Sequence, residues 1–278
     1  MKNIIAGAGL LALVSSAAMA AQPITENKVW TETFPLNTTT PKLIVSNIWG
    51  NVRVRPGDVD EITITVDESR SAPDQERFDR SLESLKLNIA ADSNGVSLEV
   101  GVRDREWERH DPCRGCRVDF QFEVLVPPGT ELDVGTVMAG TVDVAGIAGM
   151  ISASNVNGPI SIREMRDCNL LESVNGEVDV SFALAPGQNC NIETINGDIT
   201  MVLPNGSGLD VALDLFNGRM ISEFSVDPFA LPAQIEHTST NGRHRYRVQQ
   251  SAGLRLDGGG PTFTISSLNG DIRIQKSR

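Results

Sequence analysis

Aromatic rings and histidine are scarce in this chain. Its 278 residues include one Tyr, three Trp and nine Phe, 5% in all, and three His. So few rings argue against a sugar-stacking groove lined by aromatic platforms. His110, His237 and His244 fall in no Ser/His/Asp or zinc-ligand spacing, and no nucleophile elbow, P-loop or dinucleotide fingerprint occurs. Catalytic residues, a resident metal and a cofactor are therefore not expected, and the chain does not read as an enzyme. Beyond the N-terminus no apolar run approaches the length of a membrane-spanning helix. Cations are also in deficit, with 24 Lys and Arg against 36 Asp and Glu. That balance excludes a general nucleic-acid binder, which must neutralise phosphates.

The N-terminus has export features. Lys2 precedes an apolar segment, Ile4 to Val14, and Ala18-Met19-Ala20 offers a small-x-small cleavage site. Residues 1–20 thus read as a signal peptide. Ala21 follows the cut, so a lipidated cysteine is not expected. Removal of Lys2 takes the formal charge from −12 to −13. The mature protein is expected to be exported, either periplasmic or secreted to the cell surface. There it would meet an envelope protein or polysaccharide, with no nucleic acid and no integral membrane segment.

Strand signals begin early. Lys42 to Ile48, Asn51 to Arg55 and Glu61 to Val66 are rich in β-branched residues and separated by turn chemistry. A short helix is predicted at about 73–86. Ser71 gives a cap-like start before Pro73 and Asp74, and Phe78, Leu82 and Leu85 form one apolar stripe. Strands resume at Leu85 to Ala90, Val96 to Val102 and Arg117 to Val126.

An internal repeat dominates the rest. SVNGEVDV at 173–180 has close variants at 154–162, 193–201 and 267–274. Anchored on glycine, the copies are Gly50, Gly140, Gly158, Gly176, Gly197, Gly218 and Gly270, with Asn157, Asn175, Asn196, Asn217 and Asn269 preceding five of them. Spacings from Gly140 to Gly218 are 18, 18, 21 and 21 residues. Two positions before, two after and four after each glycine, 20 of the 21 residues are apolar. Asn-Gly between apolar runs suggests a hairpin. A hairpin, however, would pair Val174 with Glu177 and Ile195 with Asp198, an apolar and a charged side chain on one face. The single parity instead predicts a chain that runs through Asn-Gly with Val174, Val178 and Val180 all inward. Repeats of this length match one turn of a β-solenoid. Met150 to Ala153, Asn169 to Leu171, Asn191 to Glu193 and Leu209 to Leu215 would supply a second strand per coil. The alternative is an antiparallel β-sandwich.

The fold class expected is all-β, a β-solenoid of the β-helix or β-roll kind with 18–21-residue coils, plus an N-terminal β-rich part carrying the helix. Two divisions of the chain are open. One has a signal peptide at 1–20, an N-terminal segment at 21–132 and repeats at 133–278; the other has one continuous domain at 28–276.

Four further sets of residues carry potential chemistry. Cys113, Cys116, Cys168 and Cys190 are an even set suited to disulfides in an oxidising compartment. Cys113-Arg-Gly-Cys116 is a loop disulfide or a redox pair, and Cys168 and Cys190 lie about one coil apart. Glu177 and Asp198 share an outward position on consecutive coils, as do Glu172 and Glu193, so stacking brings each pair to roughly 5 Å. Such pairs are a solvated acidic face or a weak calcium site. Arg243, Arg245 and Arg247 alternate along one strand and form a candidate ligand face for carboxylates or sulfates, or a charged edge that discourages pairing.

The glycine-rich copies of V-N-G-x-[IV]-x-[IV], led by VDFQFEVLVPPGTELDV (Val118 to Val134), resemble the bacterial putative adhesin family of β-solenoid domains. The resemblance covers roughly Lys28 to Ile274. It implies a non-catalytic binding or scaffold role in the bacterial cell envelope and brings no catalytic residues. Two alternative functions are a β-solenoid polysaccharide lyase or hydrolase, and a redox or metal-handling protein acting through the Cys-x-x-Cys.

Overall fold

The computed structural model describes residues 22–102, 115–231, 234–240, 243–249 and 252–278, of which 102, 234–240, 243–249 and 252 are described as backbone only. The predicted signal peptide, residues 1–20, lies outside this range. In chain order the elements are β1 (Ile24–Pro35), β2 (Lys42–Ser46), β3 (Val52–Pro56), β4 (Glu61–Ala72), α1 (Gln75–Ser84), β5 (Leu85–Asp92), β6 (Gly95–Val102) and β7 (Arg117–Val126). The repeat region contributes β8 (Glu131–Met138), β9 (Val142–Ala145), β10 (Met150–Asn157), β11 (Ile160–Met165), β12 (Asp167–Asn175), β13 (Val178–Phe182), β14 (Cys190–Asn196), β15 (Ile199–Leu203), β16 (Leu209–Asn217) and β17 (Met220–Ser222). The last strands are β18 (Val226–Ala230), β19 (Gln234–Thr240), β20 (Arg243–Gln249), β21 (Ala252–Leu256), β22 (Thr262–Asn269) and β23 (Ile272–Lys276).

The protein is mostly β, with one short helix among the described residues and two large mixed sheets. A ten-stranded sheet has the order β1-β4-β7-β3-β9-β11-β13-β15-β23-β17, and an eleven-stranded sheet the order β18-β21-β16-β22-β14-β12-β10-β8-β2-β6-β5. From β8 to β17 successive strands alternate between the two, and the central pairings of both sheets are parallel. Antiparallel pairs close the ends: β1 with β4 and β4 with β7, β5 with β6, and β21 with both β16 and β18. Strands β2 and β3 stack on β8 and β9, with Leu43 opposite Leu132 and Val52 opposite Val142. One buried apolar cluster runs from Leu43 to Ile274 and draws on both sheets.

Each strand contributes to that cluster by period-2 alternation. Ile151 and Ala153 on β10, Ile160 and Ile162 on β11, Val178 and Val180 on β13, and Ile199 and Met201 on β15 are all buried. A fully buried Val or Ile stabilises by about 1.5–3 kcal/mol, so one coil alone gains little and the stack gains much.

The corner at Asn-Gly corrects one expectation. The parity does not run through it. The residues two and four after each glycine are inward, but those two before it are not: Val156, Ile195 and Phe216 are 37%, 44% and 77% exposed. The inward residue before the corner stands three before the glycine, as Asn155, Ser173, Thr194 and Ser267. The chain leaves one sheet and enters the other at this point, and the turn absorbs one residue, which resets the alternation. No hairpin forms, since Gly176 N–H donates to Asn196 O and Val178 N–H donates to Asp198 O on the neighbouring coil.

Coil order departs from chain order. The copy at Gly270 lies between those at Gly197 and Gly218: β22 pairs with β14 on one side and β16 on the other. After β17 the chain detours through β18 to β21 and returns to insert this coil. All copies present the same apolar register, so parallel pairing alone does not specify chain order.

The helix also starts later than expected. Asp74, not Ser71, is the N-cap and accepts from Arg77 N–H, the helical residues are 75–84, and Leu85 opens β5. Leu82 is 43% exposed while Ser81 is buried, because the helix packs over the buried Arg70. Arg70 pairs with Glu68 and donates to Ser81 O and to Leu85 O at 2.9 Å, satisfying carbonyls at the end of the helix.

Candidate functional site

Three parallel columns run up the corner of the stack. The glycines form the first. A Cβ on Gly176 would lie 1.9 Å from Gly158 O, and equivalent positions on Gly140, Gly158, Gly197, Gly270 and Gly218 would lie 1.9–2.1 Å from the carbonyl of the glycine one coil away. Close approach of backbone, more than turn geometry, demands glycine here. The asparagines form the second. Asn175 Nδ2 donates to Asn157 Oδ1 at 3.0 Å, and Asn196 to Asn175, Asn269 to Asn196 and Asn217 to Asn269 follow at 2.8 Å. The third is inside. Asn155, Ser173 and Thr194 donate to the carbonyls of Gly140, Gly158 and Gly176 at 2.8–3.2 Å. Leu215 holds this position in the Gly218 copy and has no group to donate, in keeping with its place at the end of the column. These repeat residues are structural. They use their side-chain hydrogen bonds on each other and on backbone.

On the outer face of the ten-stranded sheet several acids are held by arginines. Glu177 and Asp198 do lie on neighbouring coils, since β13 pairs with β15. Asp198, however, accepts from Asp271 N–H at 2.8 Å and pairs with Arg273 at 2.5 Å. The Arg273 hydrogen bond, the Asp271 backbone bond and the Arg273 charge hold its carboxyl below the usual range. Asp271 pairs in turn with Arg273 and Arg219. Further along, Asp143 is met by Arg55 at 2.5 Å, Arg163 at 2.8 Å and Arg53 at 3.5 Å. Burial alone would raise the Asp143 pKa, but the Arg55 hydrogen bond and the three guanidinium charges together hold it low. Among the described residues no three His, Cys, Asp or Glu side chains gather in a metal-binding cluster.

The outer face of the eleven-stranded sheet is different. A groove of about 500 Å³ crosses β10, β12, β14, β22 and β16. Its apolar rail is Val156, Val174, Ile195, Leu268 and Phe216, the residues two before each glycine. Beside it runs a polar rail, four before each glycine. Register places Ser154 opposite Glu172, Glu172 opposite Glu193, Glu193 opposite Ser266, and Ser266 opposite Asp214. Five strands with four spacings of ~4.8 Å give the groove a length of ~19 Å. Glu172, Glu193 and Asp214 make no ion pair with any described residue, in contrast to Asp143, Asp198 and Asp271 on the other sheet. Glu172 and Glu193 were legible as a stacked pair. The apolar rail is not legible, because its spacing matches that of a core; the polar Asn155, Ser173, Thr194 and Ser267 beside it are the signal that sets it apart.

The cysteines divide. Cys168 and Cys190 are buried and joined by a disulfide that ties β12 to β14 at a Cα–Cα distance of 5.3 Å. Cys116 is disulfide-bonded, and Cys113 lies outside the described residues. The arginine stripe lies on β20, whose backbone pairs Arg243 with Thr240, Arg245 with Thr238 and Arg247 with Glu236. Its side chains lie outside the described set. No helix among the described residues is long and apolar enough to cross a membrane.

No protein-family model matches the chain, and no curated protein does. Two solved structures are similar at 11% identity. A "putative cell adhesion protein" from Clostridium sporogenes matches with a TM-score of 0.45, over 92% of this chain and 100% of that one. A "putative adhesin" from Bacteroides fragilis matches with a TM-score of 0.34, over 90% of this chain and 97% of that one.

Proposed function

We propose that the protein is an exported, non-catalytic binding module of the bacterial cell envelope, built as a two-sheet β-solenoid that offers one outer face to a partner. One observation carries this reading. The eleven-stranded sheet exposes an apolar rail beside three carboxylates that lack ion pairs with described residues, while Asp143, Asp198 and Asp271 of the opposite sheet are matched by arginines. Exposed apolar patches rimmed by polar groups mark interaction surfaces. The alternation of strands between two sheets, with each glycine stacked on the next, supports the solenoid. The leader and the disulfide between Cys168 and Cys190 support export.

The test is comparative capture. Detergent-solubilised envelope from the source organism is passed over the mature protein and over Leu268→Asp, a change at a 46%-exposed site that leaves the core intact. The reading expects a partner retained by the first and lost by the second, with equal unfolding midpoints. Equal retention by both proteins would remove the groove from the account. Turnover of a uronate polysaccharide by the purified protein would overturn the non-catalytic reading.

A further inference from the structure

Resting on that reading, we infer that the groove accepts an amphipathic helical segment of a partner protein whose apolar stripe is flanked on one side by Lys or Arg. Three features of the groove lead there. Its floor on one side is Val156, Val174, Ile195 and Leu268, with Phe216 at one end. Aliphatic side chains dominate, which suits packing against Leu or Ile better than stacking against sugar rings. Its other side is acidic, with Glu172, Glu193 and Asp214 spaced along the same axis and unmatched by any described cation. Such a rail repels anionic lipid headgroups and nucleic acid and attracts cationic side chains.

Geometry then selects a helix over a strand. The two rails lie two residues apart on every strand, about 6.6 Å. An extended peptide lying along the groove alternates its side chains by half a turn, so residues not buried in the floor point away from the sheet. It cannot direct cations sideways onto the acidic rail. A helix carries a stripe of a given chemistry along its axis, with a second stripe on its flank. A groove of ~19 Å matches about 13 helical residues at 1.5 Å each. The apolar anchors then fall at i, i+3, i+4, i+7 and i+11, as in other helix-in-groove complexes.

The experiment uses the mature full chain and three synthetic peptides of about 14 residues. All carry the same leucine stripe. One has lysines on one flank, the second has the same lysines on the face opposite the leucines, and the third has glutamates on the flank. Fluorescence anisotropy measures binding at 50 mM and 500 mM salt. The inference expects saturable binding of the flank-lysine peptide, roughly tenfold preference over the peptide whose lysines face away from the sheet, and roughly tenfold weakening at high salt. The combined Glu172→Gln, Glu193→Gln and Asp214→Asn protein should weaken it by a similar factor and Ile195→Asp should abolish it, with far-UV dichroism unchanged in both. Equal binding of the glutamate peptide, or tighter binding of anionic vesicles or of a polysaccharide, overturns the inference. Failure of all three peptides while Leu268→Asp still loses the envelope partner overturns the helix and leaves the binding face standing. Retention of that partner by Leu268→Asp removes both.

Discussion

Gly176→Ala is the sharpest perturbation of the stack. The new Cβ would sit 1.9 Å from Gly158 O, 2.4 Å from Gly158 C and 2.9 Å from Ser173 Oγ. To reach even 3.0 Å the two coils must separate locally by more than 1 Å. That movement opposes the ~4.8 Å spacing set by the ladders on either side. It also breaks the Ser173 bond to Gly158 O, 3.2 Å in the native stack. Overpacking of this kind costs about 1–3 kcal/mol and the weakened hydrogen bond about 1 kcal/mol, so a total of about 2–4 kcal/mol is expected. For a chain of this size that corresponds to a fall in Tm of about 10 °C. Gly129→Ala supplies the control, because nothing lies within 4 Å of its Cβ position; it should change stability by less than about 0.5 kcal/mol. Urea and thermal unfolding followed by dichroism measure both. Equal stability of the two variants would refute the close approach of coils at this corner.

Other expectations follow from the same geometry. Replacing Cys168 and Cys190 by alanine opens a cross-link with a sequence separation of 22 and should cost about 3 kcal/mol in unfolding experiments. Asn175→Ala removes one ladder bond given and one received, and should cost about 1 kcal/mol in urea, more than an ordinary exposed position. Asp143 has a folded pKa below its unfolded value, so its contribution is complete above the ordinary carboxylate range, near pH 4, and is lost as pH falls further. Asp143→Asn should therefore lower stability at pH 7 by about 1–2 kcal/mol and flatten the decline between pH 4 and pH 2, measured by urea midpoints across that range.

Strand content was open to sequence reading because alternation is a local property. Val52, Val54, Val178 and Val180 are inward as their spacing implies. The corner was harder. A period-2 pattern that passes through a turn and resumes in another sheet can keep the same apolar letters while reversing the side they face. Val174 and Ile195 are apolar because they line an outer groove, and composition cannot distinguish that from a core. Their neighbours Ser173 and Thr194 held the information, since a hydroxyl at the inward position makes sense only if a carbonyl awaits it. Coil order was hidden for another reason. The other copies offer much the same apolar register, and Leu215, which cannot donate, and Ser222, in place of an apolar residue, set the Gly218 copy apart. The acidic rail was partly legible as Glu172 and Glu193, and Asp214 joined it only once β22 was found between β14 and β16.

The claim that this outer face meets a partner is tested most directly inside growing cells. A photo-crosslinking residue is placed at Leu268 in the groove, and in a second strain at Arg163 on the opposite sheet. Irradiation should give a discrete covalent adduct from position 268 and none from position 163. Adducts from 163 alone, or from neither position, would contradict the account.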